Sequence, residues 1–263
     1  MKVDWSAPWL APLRELGDVV LRRYNGGGSD DCGDSRASGM SMAAALNLPQ
    51  APRLFVEQAL APAGEPYEAF IARTGQVPTR NNLHDLFNGL IWHTHPQLKT
   101  QLNRLQAQAI KGDGVNATRG PVRDALTLFD EFGAVLHAPA QLVVSLRTRD
   151  WKALFIAQRA LWQDASLHII GHALLEQLSV APRKGLTAHV VVGDATVLCD
   201  HDWRSKPFLP LPVLGVPGWC AANEEVHFYD DVQVFRPALE SAAPRPNIRP
   251  CLQPPPRKRP NPP

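Results

Sequence analysis

The longest run of regular helical periodicity lies between residues 79 and 110. Apolar residues recur there at intervals of three and four, the spacing of one face of an amphipathic helix. This stripe consists of Leu83, Leu86, Phe87, Leu90 and Ile91. Proline is tolerated in the first turn of a helix and not in its interior, so Pro96 divides the run. The pattern predicts two consecutive helices, capped at the start by Thr79 or Asn81 and joined by a tight corner near residues 94–95.

Another helix is predicted from residue 163 to residue 178, where polar residues recur at every fourth position. Successive members of such a series lie close together on a helix surface, so they would form one polar ridge. The ridge consists of Asp164, His168, His172 and Glu176. Residues 65–74 also predict a helix, and residues 139–178 as a whole are predicted to be helical.

Several stretches carry the short apolar or β-branched runs that indicate strands. Residues 125–136 hold two such runs around a turn with Gly133, which predicts a β-hairpin; one helix interrupted at Gly133 is the alternative. Residues 187–192 and 197–198 predict a second hairpin, and residues 232–235 predict a final short strand. The prolines of residues 207–225 exclude a central strand or a helix. We expect that segment to wrap over the body as ordered coil.

Together these elements predict a mixed α+β fold. We expect its N-terminal two-thirds to be predominantly helical and to pack with a small antiparallel sheet and the proline-rich coil. A single globular domain is expected over residues 41–238, preceded by a leading segment (1–24) and a flexible insertion rich in glycine and aspartate (25–40). Residues 239–263 are rich in proline and poor in apolar residues, so we expect a disordered tail.

The composition favours a soluble protein of the cytoplasm. Apolar residues make up 44% and charged residues 20% of the 263 positions, which is ordinary for a globular chain. No apolar run approaches the roughly 20 residues that span a bilayer, and we expect no signal peptide. The four cysteines are far apart and form no Cys-x-x-Cys pair. This argues against a thiolate zinc cluster and favours reduced thiols.

The net charge of +2 is unevenly distributed along the chain. Five of the 27 basic residues lie in residues 241–263, which contain no acid, so the remaining 22 basic residues face 25 acidic ones. A slight excess of acidic residues outside the tail is not typical of a nucleic-acid-binding protein, whose folded surface carries positive charge. The basic, proline-rich tail is instead a candidate contact for an anionic surface or a protein partner.

His168 and His172 form the first candidate site. Histidines four positions apart on a helix present both imidazoles on one face, a geometry found in many zinc sites. The glutamate that directly follows the first histidine of zinc peptidases is absent here. One hypothesis is a divalent metal bound by this pair, with Asp164 and Glu176 orienting the rings. The alternative is a solvated ridge of favourable side-chain pairs.

His84, with Asp85 and Asn88, is the second candidate. A half-buried imidazole can act as a general base near neutral pH, although it can equally be hydrogen-bonded at the edge of the core. The pairs Arg123–Asp124 and Asp130–Glu131 bracket the predicted hairpin, where paired acids can bind a metal or share a proton. Turn contacts of Asp130 and an ion pair between Arg123 and Asp124 are the alternatives.

We predict that folding brings the two candidate regions to one pocket, with the acids of the hairpin at its mouth. Each segment places an ionisable group next to an apolar face, where pKa values are readily shifted. The catalytic candidates are His84, Asp85, Asp124, Asp130 and His172. The candidate metal ligands are His168 and His172.

Seven segments occur in an order that is shared with a known family. They are NLHDLFNGLIW (82–92), RGPVRDALTLFDEFG (119–133), GHALLEQL (171–178), TAH (187–189), PLPVLGVPGW (210–219), AN (222–223) and FYDDVQVFRP (228–237). On these segments the chain resembles the bacterial family DUF3025 over about residues 50–238. That family has no established activity, so the resemblance supplies no catalytic residues. It implies that the histidines of the corner at 92–95 vary, which favours His84 and His172.

Two functions remain open at this point. The first is a soluble bacterial enzyme with a histidine and carboxylate site, for which metal-assisted hydrolysis is the leading chemistry. The second is a non-catalytic binding or scaffold protein that uses its apolar, proline-rich surface and its basic tail. A shielded cluster of imidazoles and carboxylates would favour the enzyme, and a broad apolar surface without a pocket would favour the binding protein.

Overall fold

The computed structural model describes residues 1–26, 39–113, 120–193 and 202–238. Most of the predicted glycine-rich insertion, all of the predicted tail and the second strand of the hairpin at 187–198 lie outside these residues. Helices are the majority of the described elements, and two small sheets complete the predicted α+β fold. None of the described helices is both long enough and apolar enough to cross a membrane.

The described helices and strands are numbered in chain order. The α-helices are α1 (Arg14–Tyr24), α2 (Met42–Leu46), α3 (Tyr67–Thr74), α4 (Leu83–Thr94), α5 (Pro96–Asp113), α6 (Pro121–Phe132), α7 (Ala140–Thr148) and α8 (His172–Val180). The strands are β1 (Leu54–Glu57), β2 (Gln76–Thr79), β3 (Gly133–His137), β4 (Ser166–Ile169), β5 (Thr187–Val192) and β6 (Leu209–Pro212). Shorter helical turns lie between them, including one at Arg159–Asp164.

Helix α4 lies at the centre of the fold, where it packs on α2, α5 and α8. Its apolar stripe is buried, as the periodicity predicted, and α5 begins at Pro96, which confirms the predicted break. The cap differs from the prediction: Asn82, rather than Thr79 or Asn81, accepts a hydrogen bond from the Asp85 amide at 2.8 Å. This cap fixes the first turn of α4.

The strands form two sheets. β1 and β2, neither of which was predicted, pair in parallel. The larger sheet has the strand order β4-β3-β5-β6, in which β3 and β5 are parallel and the two outer pairs are antiparallel. The predicted antiparallel sheet is therefore wrong in part. Parallel neighbours need a long crossover, and the chain between β3 and β5 supplies one through α7, β4 and α8.

The hairpin predicted at residues 125–136 is wrong. Residues 121–132 form α6, and the chain then passes directly into β3. Leu126 and Phe129 are three positions apart and both fully buried, so their spacing is helical. Gly133 begins the strand at a point where a Cβ atom would overlap the carbonyl oxygen of Phe129, so glycine is required where the element changes.

The helix predicted from residue 163 to residue 178 is also wrong, because β4 and α8 share this stretch. The strand sequence SLHI alternates polar and apolar residues, which is the signal of a half-buried strand. Gly171 separates the two elements. A Cβ atom there would lie 2.5 Å from the Glu131 carbonyl oxygen and the Phe132 Cα atom, so glycine lets the chain pass closely over the end of α6 before α8 begins at His172.

The proline-rich segment packs on the body as predicted, but part of it is a strand. β6 pairs with β5 at the edge of the larger sheet, where the missing amide donors of proline are tolerated. The buried side chains of the segment are Leu211, Val213, Leu214 and Val216. The strand predicted at 232–235 is wrong: the amides of Val234 and Phe235 both donate to the Asp231 carbonyl, which forms a turn.

Candidate functional site

The imidazoles of His84 and His172 are in contact where α4 packs on α8. Their Nε2 atoms are 3.0 Å apart, their ring centroids are 4.4 Å apart, and the ring planes cross at 77°. His84 lies in the capped first turn of α4, and His172 is the first residue of α8. His172 is 4% exposed, whereas 28% of the His84 side chain is exposed. The pair therefore joins a buried ring to one that solvent can reach.

Two glutamates face this histidine pair. Oε2 of Glu131, at the end of α6, is 3.6 Å from Nε2 of His172. Oε2 of Glu176, one turn along α8, is 3.1 Å from Nδ1 of His84. Within the described residues, His84, Glu131 and His172 are the group whose donor atoms come close enough to hold a metal ion, all within 4.8 Å of one another. His84, His172, Glu131 and Glu176 are called the histidine–glutamate centre below.

A buried ion pair acts on this centre from α5 and α6. Lys99 is 3% exposed, and its Nζ lies 2.5 Å from Oδ1 of Asp130 and 5.6 Å from the ring centroid of Trp92. Burial alone would raise the pKa of Asp130, but Lys99 and the imidazoles of His172 and His84 outweigh it and lower that pKa. Asp130 is therefore ionised and adds negative charge beside the centre.

The environment of His172 keeps its ring neutral. Burial lowers the pKa of His172 to about 3; Asp130 opposes this shift, while Lys99 and His84 strengthen it. Its Nδ1 atom is buried and has no partner in hydrogen-bond geometry among the described residues, although the Asp130 backbone is near enough to favour the protonated ring. A neutral imidazole whose Nε2 faces Glu131 is the form that binds a metal ion or accepts a proton.

Tyr67 and Asn88 lie beside the same centre. The Asn88 amide donates to the Tyr67 hydroxyl at 2.8 Å, and Asn88 follows His84 by one turn of α4. Burial, strengthened by the charges of Asp130 and Asp85, raises the pKa of Tyr67 well above its ordinary value. As a whole the tyrosine is half-buried, with its hydroxyl end in the interior. The phenol therefore stays protonated at neutral pH.

Two of the predicted acids have ion-pair partners of their own. Asp85 is buried in the first turn of α4 and accepts hydrogen bonds of 2.6–3.2 Å from the backbone amide and guanidinium of Arg80. Asp124 lies at the surface, 2.5 Å from Nζ of Lys206. Because the predicted hairpin does not form, Asp124 does not join the histidine pair. The hydrogen bond to Asp85 raises the pKa of the Arg80 guanidinium, and the charge of Glu176 adds to this shift.

His168 does not accompany His172, so the prediction that they share one helical face is wrong. His168 lies on β4, and its ring centroid is 5.8 Å from that of His95, the residue after α4. Together with His137 they line a separate cleft of about 280 Å³ at the larger sheet. Burial lowers the pKa of His95 to about 4, and the neighbouring His168 adds to this shift. The physical reason for the separation is the strand-to-helix boundary at Gly171.

The sequence prediction missed Lys99 and Tyr67 as parts of the site. Lys99 recurs with Asn103 and Gln106 at helical spacing along α5, and all three are buried. A polar stripe of this kind normally indicates a solvent-facing side, so the pattern does not indicate that Lys99 is buried. Tyr67 matches the apolar side of its helix, which conceals the role of the hydroxyl. For Glu131 a local signal did exist, since it pairs with Asp130 in the last turn of an amphipathic helix.

The comparison with known families extends over most of the chain. Residues 54–239 match the family described as "Protein of unknown function (DUF3025)". The chain belongs to the DUF3025 family. No curated protein and no solved structure matches the chain. The DUF3025 region begins at β1 and contains all the residues of the histidine–glutamate centre, together with Tyr67, Asn88 and Lys99.

Proposed function

We propose that this DUF3025 protein is a metal-dependent hydrolase of the bacterial cytosol. In this proposal His84, His172 and Glu131 bind a divalent metal ion of the zinc class, and a water molecule on that metal is the nucleophile. The observation that supports it is the convergence of three donor atoms, from three different helices, to within 4.8 Å of one another.

The spacing of the donor atoms suits a metal of this size. Zinc ligands lie about 2.0–2.2 Å from the ion at tetrahedral angles, so the donor atoms are separated by roughly 3.3–3.6 Å. The Nε2 atoms of His84 and His172 are 3.0 Å apart, and Oε2 of Glu131 is 3.6 Å from the latter. All three donor atoms lie within 4.8 Å of one another, so side-chain rotations that bring them to this spacing would admit the ion. Two histidines and one glutamate leave a fourth position for water, as in catalytic zinc sites.

Glu176 supplies the second contact that a metal-binding histidine needs. Its carboxylate lies 3.1 Å from Nδ1 of His84 and accepts the proton of that nitrogen, which leaves the Nε2 lone pair directed at the other ligands. His172, with a pKa of about 3, is neutral, so it can bind the ion through Nε2 once its single ring proton has moved to Nδ1. His84 is partly exposed, so an ion and a substrate can approach from its side.

Such a centre would perform hydrolysis in a simple sequence. A metal ion lowers the pKa of a bound water to about 7, so hydroxide forms near neutral pH and its proton is released. Hydroxide supplied in this way would add through its oxygen to the carbonyl carbon of an ester or amide, and the bond from that carbon to the leaving group would break. The leaving group takes up a proton, so the products are a carboxylic acid and an alcohol or amine.

The alternative of a binding or scaffold protein has less support. In the described part of the chain, the exposed large apolar side chains belong to separate elements; they are Val19, Met40, Leu54, Leu60, Val144, Val180, Val226 and Val232. The proline-rich segment buries its apolar side chains against the body. The shielded imidazoles and carboxylates are the feature expected of the enzyme.

Calorimetric titration of the chelator-treated protein with zinc chloride tests the proposal. His84→Ala, His172→Ala and Glu131→Gln should each weaken zinc binding by more than about 100-fold, because changes outside the ligand set already cost about 10–100-fold. His168→Ala is the matched control: it removes an imidazole outside the centre and should bind zinc as the wild type does. Circular dichroism checks that each variant is folded.

The zinc-loaded proteins are then assayed with p-nitrophenyl esters. Hydrolysis should follow zinc occupancy across the wild type, the three ligand variants and His168→Ala. Absence of a stoichiometric zinc site in the wild type would refute the proposal. So would a loss of zinc in His168→Ala as large as that in His84→Ala.

A further inference from the structure

Asn88 carries a buried polar group without a partner next to the histidine–glutamate centre. The residue is 6% exposed, its side-chain nitrogen contacts the Tyr67 hydroxyl at 2.8 Å, and its side-chain oxygen has no hydrogen-bond partner among the described residues. An unsatisfied buried polar group is costly, and native proteins retain few of them outside functional sites. The exposed fraction and the missing partner together indicate that a ligand atom belongs here.

This conclusion does not depend on how the amide is oriented. If the Asn88 nitrogen donates to the Tyr67 oxygen, the phenolic proton remains available for a ligand. If the amide is turned over, the phenol donates to the Asn88 oxygen, and the amide protons remain available instead. In both arrangements one hydrogen bond joins the two side chains and at least one donor is left. The first arrangement leaves the Asn88 oxygen, an acceptor, without a partner, whereas the second satisfies it and leaves only amide protons free. The second arrangement therefore makes the pair a donor site for an oxygen atom.

Two observations place this donor site beside the centre. Asn88 follows His84 by four positions on α4, and residues at this spacing are neighbours on one helix face, with Cβ atoms about 5–6 Å apart. The Tyr67 hydroxyl is near enough to Asp130 for that carboxylate to act on the pKa of the phenol, and Asp130 adjoins Glu131. The donors and the three proposed metal ligands thus belong to one polar interior.

We propose that Tyr67 and Asn88 form an oxyanion-binding subsite, which selects substrates whose scissile group is a carbonyl. The free protons of this pair would donate hydrogen bonds to the carbonyl oxygen, which becomes negatively charged when hydroxide adds to the carbon. Donors fixed in a buried place before reaction stabilise such charge more than water does. This inference rests on the proposed function, because it assumes a metal-bound hydroxide at the histidine–glutamate centre.

The test uses the full-length protein loaded with cobalt(II), and acetohydroxamate as the probe. Acetohydroxamate supplies a carbonyl oxygen and an anionic oxygen, and the visible spectrum of cobalt(II) reports both metal binding and probe binding. Tyr67→Phe removes only the hydroxyl, and Asn88→Leu removes the amide at similar volume. Tyr24→Phe is the matched control, since this half-buried tyrosine lies at the end of α1.

We expect Tyr67→Phe and Asn88→Leu to bind cobalt(II) with wild-type affinity and to bind acetohydroxamate about tenfold more weakly, the usual effect of one lost hydrogen bond to a charged group. Tyr24→Phe should leave both affinities unchanged. Thermal unfolding shows whether each variant is folded. If Asn88→Leu is unfolded, the affinity of Tyr67→Phe for acetohydroxamate tests the subsite by itself.

The two proposals fail in different ways. If the wild type binds no cobalt(II), both the proposed function and this subsite are refuted. If the wild type binds cobalt(II) and the probe, but Tyr67→Phe binds the probe equally well, only the subsite is refuted, and the buried Asn88 group then contacts an ordered water. A loss of cobalt(II) affinity in Tyr67→Phe would also refute it, because the role of the tyrosine would then be structural.

Discussion

Replacement of Lys99 by methionine should destabilise the fold strongly. Methionine keeps most of the length of the side chain and removes its charge, so Asp130, whose side chain is 17% exposed, becomes a largely buried carboxylate without its 2.5 Å partner. Removing one member of a buried ion pair typically costs about 3–5 kcal/mol, because the remaining charge keeps its desolvation penalty and loses its attraction. The double variant Lys99→Met/Asp130→Leu should regain most of that free energy, since apolar packing can replace a buried pair.

Urea unfolding followed by circular dichroism measures the change in the free energy of unfolding, and thermal unfolding measures the shift in melting temperature. In a chain of this size, each kcal/mol shifts the melting temperature by about 2–4 °C, so Lys99→Met should melt about 6–20 °C lower than the wild type. Lys152→Met is the matched control: its 3.3 Å pair with Asp230 is largely exposed, at 72% and 57%, and should contribute less than about 1 kcal/mol.

Two outcomes would refute this reasoning. A loss below about 1 kcal/mol in Lys99→Met would equal that of an exposed pair and would mean that Asp130 does not depend on Lys99 for its charge. A double variant as unstable as the sum of the single changes would show that the two residues do not stabilise each other.

Two further predictions concern the backbone at the site and the response to acid. Gly171→Ala places a Cβ atom against the backbone of Phe132 and should lower the free energy of unfolding by about 1–3 kcal/mol. Gly112→Ala, in open space on α5, should be neutral or stabilising; equal effects in urea would contradict the packing argument. Burial lowers the pKa of His95 to about 4 and of His172 to about 3 from 6.5, so their neutral forms stabilise the fold above pH 6.5 and this contribution is lost as the pH falls toward those values. The free energy of unfolding should decline from pH 6.5 to 4, less steeply in His95→Gln, and identical slopes would contradict the assignment.

Sequence periodicity predicted the helices well where one face is buried along its whole length. The stripe of α4 and the proline at the start of α5 are local signals, so they locate both helices without knowledge of their partners. β1 and β2 are four residues long and pair with each other across α3, so their signal depends on a partner distant in the chain. In the stretch 163–178, the fourfold recurrence of polar residues crosses a strand, a glycine and a helix, and its helical appearance is coincidental.

The candidate site was predictable only in part. His84 and His172 are polar residues beside apolar stripes, which is a local signal, and the structure places their rings in contact. Glu131 comes from a third helix whose direction depends on the close passage of Gly171, so its approach could not be inferred from spacing. The burial of Lys99 could not be predicted, because it depends on an ion pair with Asp130 of a neighbouring helix, and a sequence does not show which helices are neighbours.

X-ray absorption at the zinc edge of the loaded protein tests the central claim, a metal held by two imidazoles and a carboxylate. We expect one zinc ion per chain with only nitrogen and oxygen neighbours at about 2.0–2.2 Å, two of them from imidazoles, and no bound zinc in His84→Ala. Sulfur neighbours at about 2.3 Å, or a spectrum that is unchanged in His84→Ala, would contradict it.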